Sequence, residues 1–542
     1  MAVDRAQLEA DRASLRGRWI AEGYYTGQTL SQVIDAAAER SPGTRHHYYG
    51  EHGYRTASLA EINAEAWHAA QQLARAGIRR GDVVAVQMPM VPEVVTSLIA
   101  IAHLGAVVLP IVHTYGSAEL TTILSAAKAR MLVVPDRWRG IDLAERIAAV
   151  TLPASLDTLL VVGGSGTFPV RTLRYAELVA APVSPVPLDQ GDPQDDAMVL
   201  FSSGTTGAPK GIRHSNETII AEYTIPFLSN NGPYFTMMPP GHIAALVVIF
   251  HSITKGVDMV AADRWDATLA AEICDRRGVT QTGGVPLMLV GLLEAARRDN
   301  RDLSSIVSFR MGGTAVTPHH IQMASDAGFL AGRFYGLSEH PTVSIVNNAG
   351  SFAQRATTDG IPCDGTEIRI VDDEGNDLPT GTDGEIAVRG PETFVGYTDP
   401  ELDLISFLPG AWFLTGDIGH LGADGAITIT DRKKDIIIRG GENISPKEIE
   451  DMLLDHPAIR EIAVVAYPDE RVGESACAVI VPEDGTRLTL EDLTAHLLAK
   501  GAAKLKLPER LEMIEAMPLT PNGKIRKDVL RARLRGAAST GS

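Results

Sequence analysis

FSSGTTGAPKG, residues 201–211, carries more information than any other stretch of this 542-residue chain. Its eleven residues include two serines, two threonines, three glycines and one lysine. An apolar run, Ala197 to Phe201, leads into it, and a helical pattern starts near Ser215. Glycine lets backbone N–H groups approach a ligand closely. Hydroxyls and a lysine add donors and positive charge. Together these suit a loop that grips phosphate oxygens. The stretch is not the common nucleotide loop, which needs Gly-x4-Gly-Lys-Ser/Thr, because Pro209 stands five places after Gly204. A plain Gly/Ser/Thr surface loop has the same composition, so other stretches must decide between the two readings.

Composition narrows the field. With 49 Lys and Arg against 67 Asp and Glu, the formal charge is −18. A broad basic surface for nucleic acid is not expected. The chain is 45% hydrophobic and 21% charged, enough to build a large core. Cys274, Cys363 and Cys477 lie far apart, with neither a disulfide framework nor zinc spacing. A reducing, cytoplasmic setting fits. Residues 1–22 are rich in Arg, Asp and Glu and do not read as a signal peptide. Val94 to Val112 lacks Asp, Glu, Lys and Arg and is long enough to cross a bilayer. His103, Gly105 and Pro110 interrupt it, so it reads as a buried helix over Val94–Leu104 and a buried strand over Ala106–Leu109. No transmembrane segment is expected.

Strand-like and helical patterns alternate through the first 360 or so residues, as in Val83–Gln87 before a helix from Glu93. The fold class is therefore α/β, with parallel or mixed sheets flanked by helices. Residues 151–196 are rich in Pro and Gly and read as an irregular connector. From Gly360 the pattern changes to short β runs, Thr366–Val371 and Glu385–Val388, cut by turn clusters. That predicts a barrel-like β unit. Asp431-Arg432-Lys433-Lys434-Asp435 then marks an exposed joint. Beyond it a small α+β region is predicted: helix 446–454, strands 461–466 and 476–482, helix 490–500 and a basic tail.

Four further stretches hold candidate chemistry. In Tyr335-Gly336-Leu337-Ser338-Glu339, a ring can stack on a base and a carboxylate can hold Mg²⁺ beside phosphates. Thr415-Gly416-Asp417 offers an acceptor for hydroxyls. Gly440-Gly441 follows the charged joint. Pro521-Asn522-Gly523 builds a tight turn that presents Lys524, a mobile point charge able to bridge two anions. His242, in MPPGH (238–242), opens a long apolar segment. Taken singly, each is also an ordinary turn, surface lysine or core histidine.

Taken together, in this order and spacing over residues 30–530, they resemble the adenylate-forming enzymes, in particular the acyl-CoA synthetase branch. Ser202 and Ser338 stand where that family usually has Thr, which keeps the hydroxyl. GEIAVRGPETFVGY (384–397) also matches a family signature and reads as structural support. The resemblance implies an N-terminal AMP-binding domain over residues 1–430, a hinge at 431–435 and a mobile C-terminal domain over 436–542. It implies that Ser202, Ser203, Gly204, Thr205, Thr206, Gly207 and Lys210 grip the phosphates of ATP. Gly313, Tyr335, Gly336 and Ser338 would hold the nucleotide, Asp417 and Arg432 its ribose, and Glu339 Mg²⁺. Lys524 would act on the α-phosphate and the acid, and His242 would stand at the mouth of the acyl pocket. Gly440 and Gly441 would leave room for the pantetheine arm of CoA. The implied function is an ATP-dependent acyl-CoA synthetase acting on an apolar, medium-chain or alicyclic acid. Its partners would be the acid, ATP and CoA, with no nucleic acid. Ile243-Ala244-Ala245-Leu246-Val247 would form an apolar wall of the acyl pocket. A stand-alone adenylating enzyme serving a carrier-protein thiol or an amine is the alternative, and a non-catalytic nucleotide-binding regulator a remoter one.

Overall fold

The computed structural model describes residues 3–539, apart from 165, 184, 203–209, 226–231, 314–315, 347–349, 440–441, 470–471 and 521–522. Ser203, Gly204, Thr205, Thr206, Gly207, Gly440 and Gly441 therefore lie outside the described residues, as does the side chain of Ser202.

Two large mixed sheets form the first part of the chain. One has eight strands, and its order runs through those starting at residues 396, 210, 196, 107, 83, 131, 158 and 171. The other has nine, starting at 361, 340, 330, 308, 281, 234, 259, 45 and 53. Their central strands pair in parallel, and the edge hairpins are antiparallel. Helices cover the faces, as parallel strands require. The uncharged run 94–112 folds as helix Pro92–His103, with every residue from Val94 onward buried, followed by strand Val107–Pro110. No helix among the described residues is long and apolar enough to cross a membrane.

A third, antiparallel sheet of five strands is the half-barrel that the β pattern beyond Gly360 predicts. Residues from Ile437 onward form their own five-stranded sheet with helices Pro446–Leu453 and Leu490–Ala499. The α/β class and the division into a large and a small part thus agree with the sequence pattern.

Two expectations need correcting. Residues 151–196 are not an irregular connector. They contain strands Thr158–Val162 and Arg171–Arg174 and helix Tyr175–Ala180. Leu159, Leu160 and Val161 are buried: a short apolar run pairs in parallel between strands Met131–Pro135 and Arg171–Arg174 despite the Pro and Gly around it. The charged joint is also not wholly exposed. Asp431 is 5% exposed. It belongs to strand Ile427–Arg432, pairs opposite Ile418, and accepts from Ser445 Oγ at 2.5 Å. Arg432 ends the strand, and Lys433 to Asp435 turn the chain toward strand Ile437–Arg439.

Helix Asn216–Thr224 is capped by Ser215, whose side chain accepts from Thr218 N. Every residue from Asn216 to Tyr223 is buried, Glu222 included. Thr342 Oγ1 donates to Glu222 Oε1 at 2.6 Å, and Oε2 has no hydrogen-bond partner among the described residues. Burial, against the opposing Thr342 bond, pushes this carboxyl up to about 8. A folded pKa above the unfolded value means that the stabilising contribution is present below about 4.5 and is lost as pH rises towards about 8. Glu222→Gln keeps the shape and removes the titration. Thermal unfolding should show the variant gaining on the wild type between about pH 5 and about pH 9. A constant difference across that range would show that Glu222 does not titrate there.

Candidate functional site

Ligands of open α/β sheets bind outside the carboxyl ends of the strands. Those ends are where the predicted residues meet. Asp417, 2% exposed, sits on strand Trp412–Leu421 of the half-barrel. Tyr335 Oη, from strand Leu330–Leu337 of the nine-stranded sheet, donates to its Oδ2 at 2.6 Å. Arg432 Nε lies 2.5 Å from its Oδ1, from the register-paired position of the neighbouring strand. Burial, then Asp417, raises the Tyr335 phenol well above its ordinary pKa, so it remains a donor. Both oxygens of Asp417 are thus engaged, but each keeps a further lone pair for an incoming hydroxyl.

Ser338 and Glu339 lie in the turn between strands Leu330–Leu337 and His340–Ile345. Gly336 is required there: a Cβ on it would stand 1.9 Å from Pro341 O. Three contacts then fix the turn. Phe394 N donates to Glu339 O at 2.8 Å. Tyr397 Oη donates to Glu339 Oε1 at 2.9 Å. His214 Nε2 lies 2.7 Å from Ser338 O, which can only accept, so Nε2 carries the proton. Burial pushes the His214 ring down to about 4, and it is neutral at neutral pH. Burial raises the Glu339 carboxyl, opposed by the Tyr397 bond, its own backbone N–H, Lys210 and Arg432.

Lys210 opens strand Lys210–Ser215, and its Nζ lies 5.3 Å from the centre of the Tyr397 ring. Lys210, Glu339, Tyr397, Thr415, Glu385 and Lys433 line a cavity of about 350 Å³. Among the described residues no group of three His, Cys, Asp or Glu could hold a metal ion. One carboxylate beside a lysine instead suits Mg²⁺ that arrives on phosphates, since that ion is commonly held by one or two carboxylates plus substrate oxygens.

The small C-terminal part contributes Lys524. Its turn is closed by Thr520 N on Lys524 O at 2.7 Å and by Lys524 N on Thr520 Oγ1 at 3.1 Å. A Cβ built on Gly313 would lie 3.8 Å from Lys524 Cε, and Gly313 has φ +79°. The side chain is exposed, yet it stands against Gly313 of the large part. Loss of hydration lowers its pKa, Arg432 and Lys434 push the same way, and Asp417 opposes.

His242 occupies the residue before helix Ile243–Lys255, with no side-chain capping bond to it. It is half-buried, with Ile243 and Ala244, while Ala245, Leu246 and Val247 turn into the main core. The predicted apolar wall therefore reaches the cleft only at its first two residues, because the helix carries the rest inward. Gly241 lies against Val112, whose N would be 2.2 Å from a Cβ.

Two contributors were not singled out in the sequence. Tyr397 lies in a stretch read as structural support, and His214 carried no signal, because only the three-strand arrangement brings it to Ser338.

With this geometry in place, comparison with known proteins is direct. Residues 34–398 match the AMP-binding enzyme family, and residues 448–524 match the AMP-binding enzyme C-terminal domain. The chain belongs to the AMP-binding enzyme family. Within it, the chain is an enzyme of the AMP-forming acid–thiol ligase kind. It is 33% identical over 480 residues to the medium-chain fatty-acid–CoA ligase of Escherichia coli strain K12, covering 86% of this chain and 84% of that one. It is 31% identical over 548 residues to the salicyl-AMP ligase / salicyl-S-ArCP synthetase of Mycobacterium tuberculosis, covering 97% and 94%. An amide bond synthetase from Marinactinospora thermotolerans has a similar structure, with TM-score 0.79, 25% identity and coverage of 92% and 99%. These names differ in what the acyl unit is joined to or through: CoA, S-ArCP or an amide bond.

Tyr397→Phe removes only the hydroxyl on Glu339. A hydrogen bond to a charged group is worth enough that acid-dependent ATP–pyrophosphate exchange should fall roughly 10- to 100-fold with the fold intact. Unchanged exchange at limiting Mg²⁺ would show that the bond does not position Glu339.

Proposed function

We propose that the protein activates a carboxylic acid with an apolar body as acyl-AMP, releasing pyrophosphate, and transfers the acyl group to CoA, releasing AMP. One observation carries this reading: Lys524, from the small part, is delivered beside Gly313, Arg432 and Asp417, next to the Glu339–Lys210 cavity.

The chemistry follows from charge. A carboxylate and the α-phosphate of ATP repel, so the site must neutralise both as they meet. In this reading Lys524 bridges them. Lys210, Ser202, Ser203, Thr205 and Thr206, with backbone from Gly204 and Gly207, hold the departing phosphates. Tyr335, Gly336, Ser338 and Gly313 border the base, and Asp417 with Arg432 takes the ribose. Mg²⁺, held by Glu339 when bound, would supply positive charge to the phosphates. His242 closes the acyl side against water, which would otherwise hydrolyse the mixed anhydride.

CoA transfer needs a second arrangement. The carbon beside Lys524 must be reached by a thiol through the region of Gly440 and Gly441. We place the pivot at residues 431–435, between parts 1–430 and 436–542. Asp431 and Arg432 are anchored in their strand, so rotation falls to the turn residues Lys433–Asp435. Arg531 watches that turn: its Nη2 lies 2.6 Å from Asp435 Oδ1, and its Nη1 lies 3.3 Å from Lys434 O. A carrier-protein thiol or an amine in place of CoA is the second reading, favoured by the spread of acceptors among the relatives. The described cysteines are all free and buried, in keeping with a reducing cytoplasm.

Lys524→Ala should slow adenylate formation on the order of 100- to 1000-fold. Given presynthesised acyl-adenylate and CoA, the same preparation should form thioester at close to the normal rate. Equal damage to both steps would remove Lys524 from the proposed role. Lys434→Pro fixes φ within the proposed pivot. It should impair one half-reaction far more than the other, whereas parallel loss in a folded variant would place the pivot elsewhere.

A further inference from the structure

Helix Arg5–Ala21 precedes the family match that begins at residue 34, and none of the chemistry above employs it. Its charges are nevertheless spent on other elements. Arg5 pairs with Glu401, Arg12 with Asp403, Arg16 with Glu217 and Arg18 with Glu367. Asp11 Oδ2 accepts from Gly410 N at 2.6 Å. Glu217 opens helix Asn216–Thr224, Glu367 opens strand Glu367–Val371 of the half-barrel, and Glu401 and Asp403 lie on helix Pro400–Ser406. The N-terminal helix is thus a strap across the large part.

Arg12 differs from the other three arginines. Leu8, Leu15 and Trp19 recur at helical spacing and form the inward stripe, and Arg12 falls within it. Its guanidinium lies 4.6 Å from the centre of the Phe407 ring. Nη1 and Nη2 donate to Asp403 Oδ2 at 3.1 and 3.2 Å. Loss of hydration lowers the Arg12 pKa, Asp403 opposes, Arg213 lowers it further and Glu9 raises it. The guanidinium stays charged, as arginine does throughout proteins.

Asp403 carries the contact onward. It is buried, and its other oxygen, Oδ1, accepts from Tyr397 N at 2.9 Å. Tyr397 lies on the two-residue edge strand of the eight-stranded sheet, opposite Ile212 in the strand that Lys210 opens. Gly396 has φ +143°, and a Cβ on it would stand 2.4 Å from Asp403 Oδ2. Glycine there lets the carboxylate reach the strand. Tyr397 Oη then donates to Glu339 Oε1. Hydrogen bonds thus run from Arg12 to Asp403, from Asp403 to Tyr397 and from Tyr397 to Glu339. A buried carboxylate stripped of its cation is strongly destabilised. Any shift of Asp403 toward water would loosen Tyr397 and, with it, the carboxylate at the cavity wall.

We propose that Arg12 is a positioning residue for the reaction, setting the place of Glu339 through Asp403 and Tyr397. This rests on the adenylation reading above, in which Glu339 holds Mg²⁺, and extends the working site to the N-terminal helix.

The full-length protein is titrated by calorimetry with a non-hydrolysable ATP analogue, with Mg²⁺ and in EDTA, and assayed by acid-dependent ATP–pyrophosphate exchange. Arg12→Met keeps an unbranched side chain and removes its charge. It should reduce the tightening that Mg²⁺ gives to analogue binding roughly 3- to 10-fold, with binding in EDTA unchanged, and lower exchange by a similar factor. Arg12→Lys should recover part of both. Arg5→Met breaks an exposed pair between the same two helices and should leave both at wild-type values. Combining Arg12→Met with Tyr397→Phe should give exchange within about 2-fold of Tyr397→Phe alone, because the two substitutions break one chain of contacts. Losses that multiply in the double variant would overturn the proposal. So would an Arg12→Met protein with a lowered Tm but wild-type Mg²⁺ dependence, which would make Arg12 a structural clasp only. If Arg12→Met does not fold, Arg12→Lys, alone and with Tyr397→Phe, decides on the same criteria. If Tyr397→Phe leaves the Mg²⁺ dependence unchanged, the role of Glu339 fails and the proposal with it. If Tyr397→Phe weakens that dependence and the Arg12 variants do not, the role of Arg12 alone fails.

Discussion

The buried carboxylate of Asp417 is the interaction on which the rest of the site depends. It receives Tyr335 from the large sheet and Arg432 from the last strand before the chain enters the small C-terminal part. The nine-stranded sheet and two neighbouring strands of the half-barrel are thereby tied at one charge. A carboxylate this deep is tolerable only when its oxygens are filled, so each partner is needed for the others to stay. Arg432 in turn faces Lys524, whose charge it destabilises and Asp417 supports. The position of the C-terminal lysine is thus felt at the same carboxylate that joins the nine-stranded sheet to the half-barrel.

Around this centre the protein arranges donors and acceptors on strand ends and strand-joining turns rather than on long loops. Glu339 is held by the backbone of Phe394 and the side chain of Tyr397, and Ser338 beside it by His214 from the strand of Lys210. That arrangement keeps a carboxylate and a lysine at the wall of one small cavity without letting them collapse into an ion pair. Preorganisation of this kind matters where two anions must meet, since the charges are placed before the reaction begins. The opposite side of the cleft is built differently. There the register sets Arg310 between Gly283 and Gly332 on the neighbouring strands.

Much of the site was legible in the sequence because its residues are local. Tyr335 to Glu339, Thr415 to Asp417 and the turn before Lys524 each lie within a few positions of one another, and turn chemistry alone accounts for their shape. The α/β alternation and the change to short antiparallel strands were equally readable, since hydrophobic period reports local backbone form. The Pro- and Gly-rich span 151–196 misled because composition suggested a loop, while Leu159 to Val161 found parallel strands on both sides to pair with. The charged joint misled in the same way, since Asp431 is drawn inward by Ser445.

The sequence by itself determined the fold class, the order of the motifs and the chemical types present, because these are set by short-range pattern. Only the tertiary structure decided which of those groups meet. Tyr397 on Glu339, His214 on Ser338 and Lys524 beside Gly313 join residues 58, 124 and about 210 positions apart. No periodicity encodes such pairings. Nor does the sequence reveal that Arg310 lies between two glycines: that depends on strand order and register, which are fixed when the sheet assembles and buries its two faces.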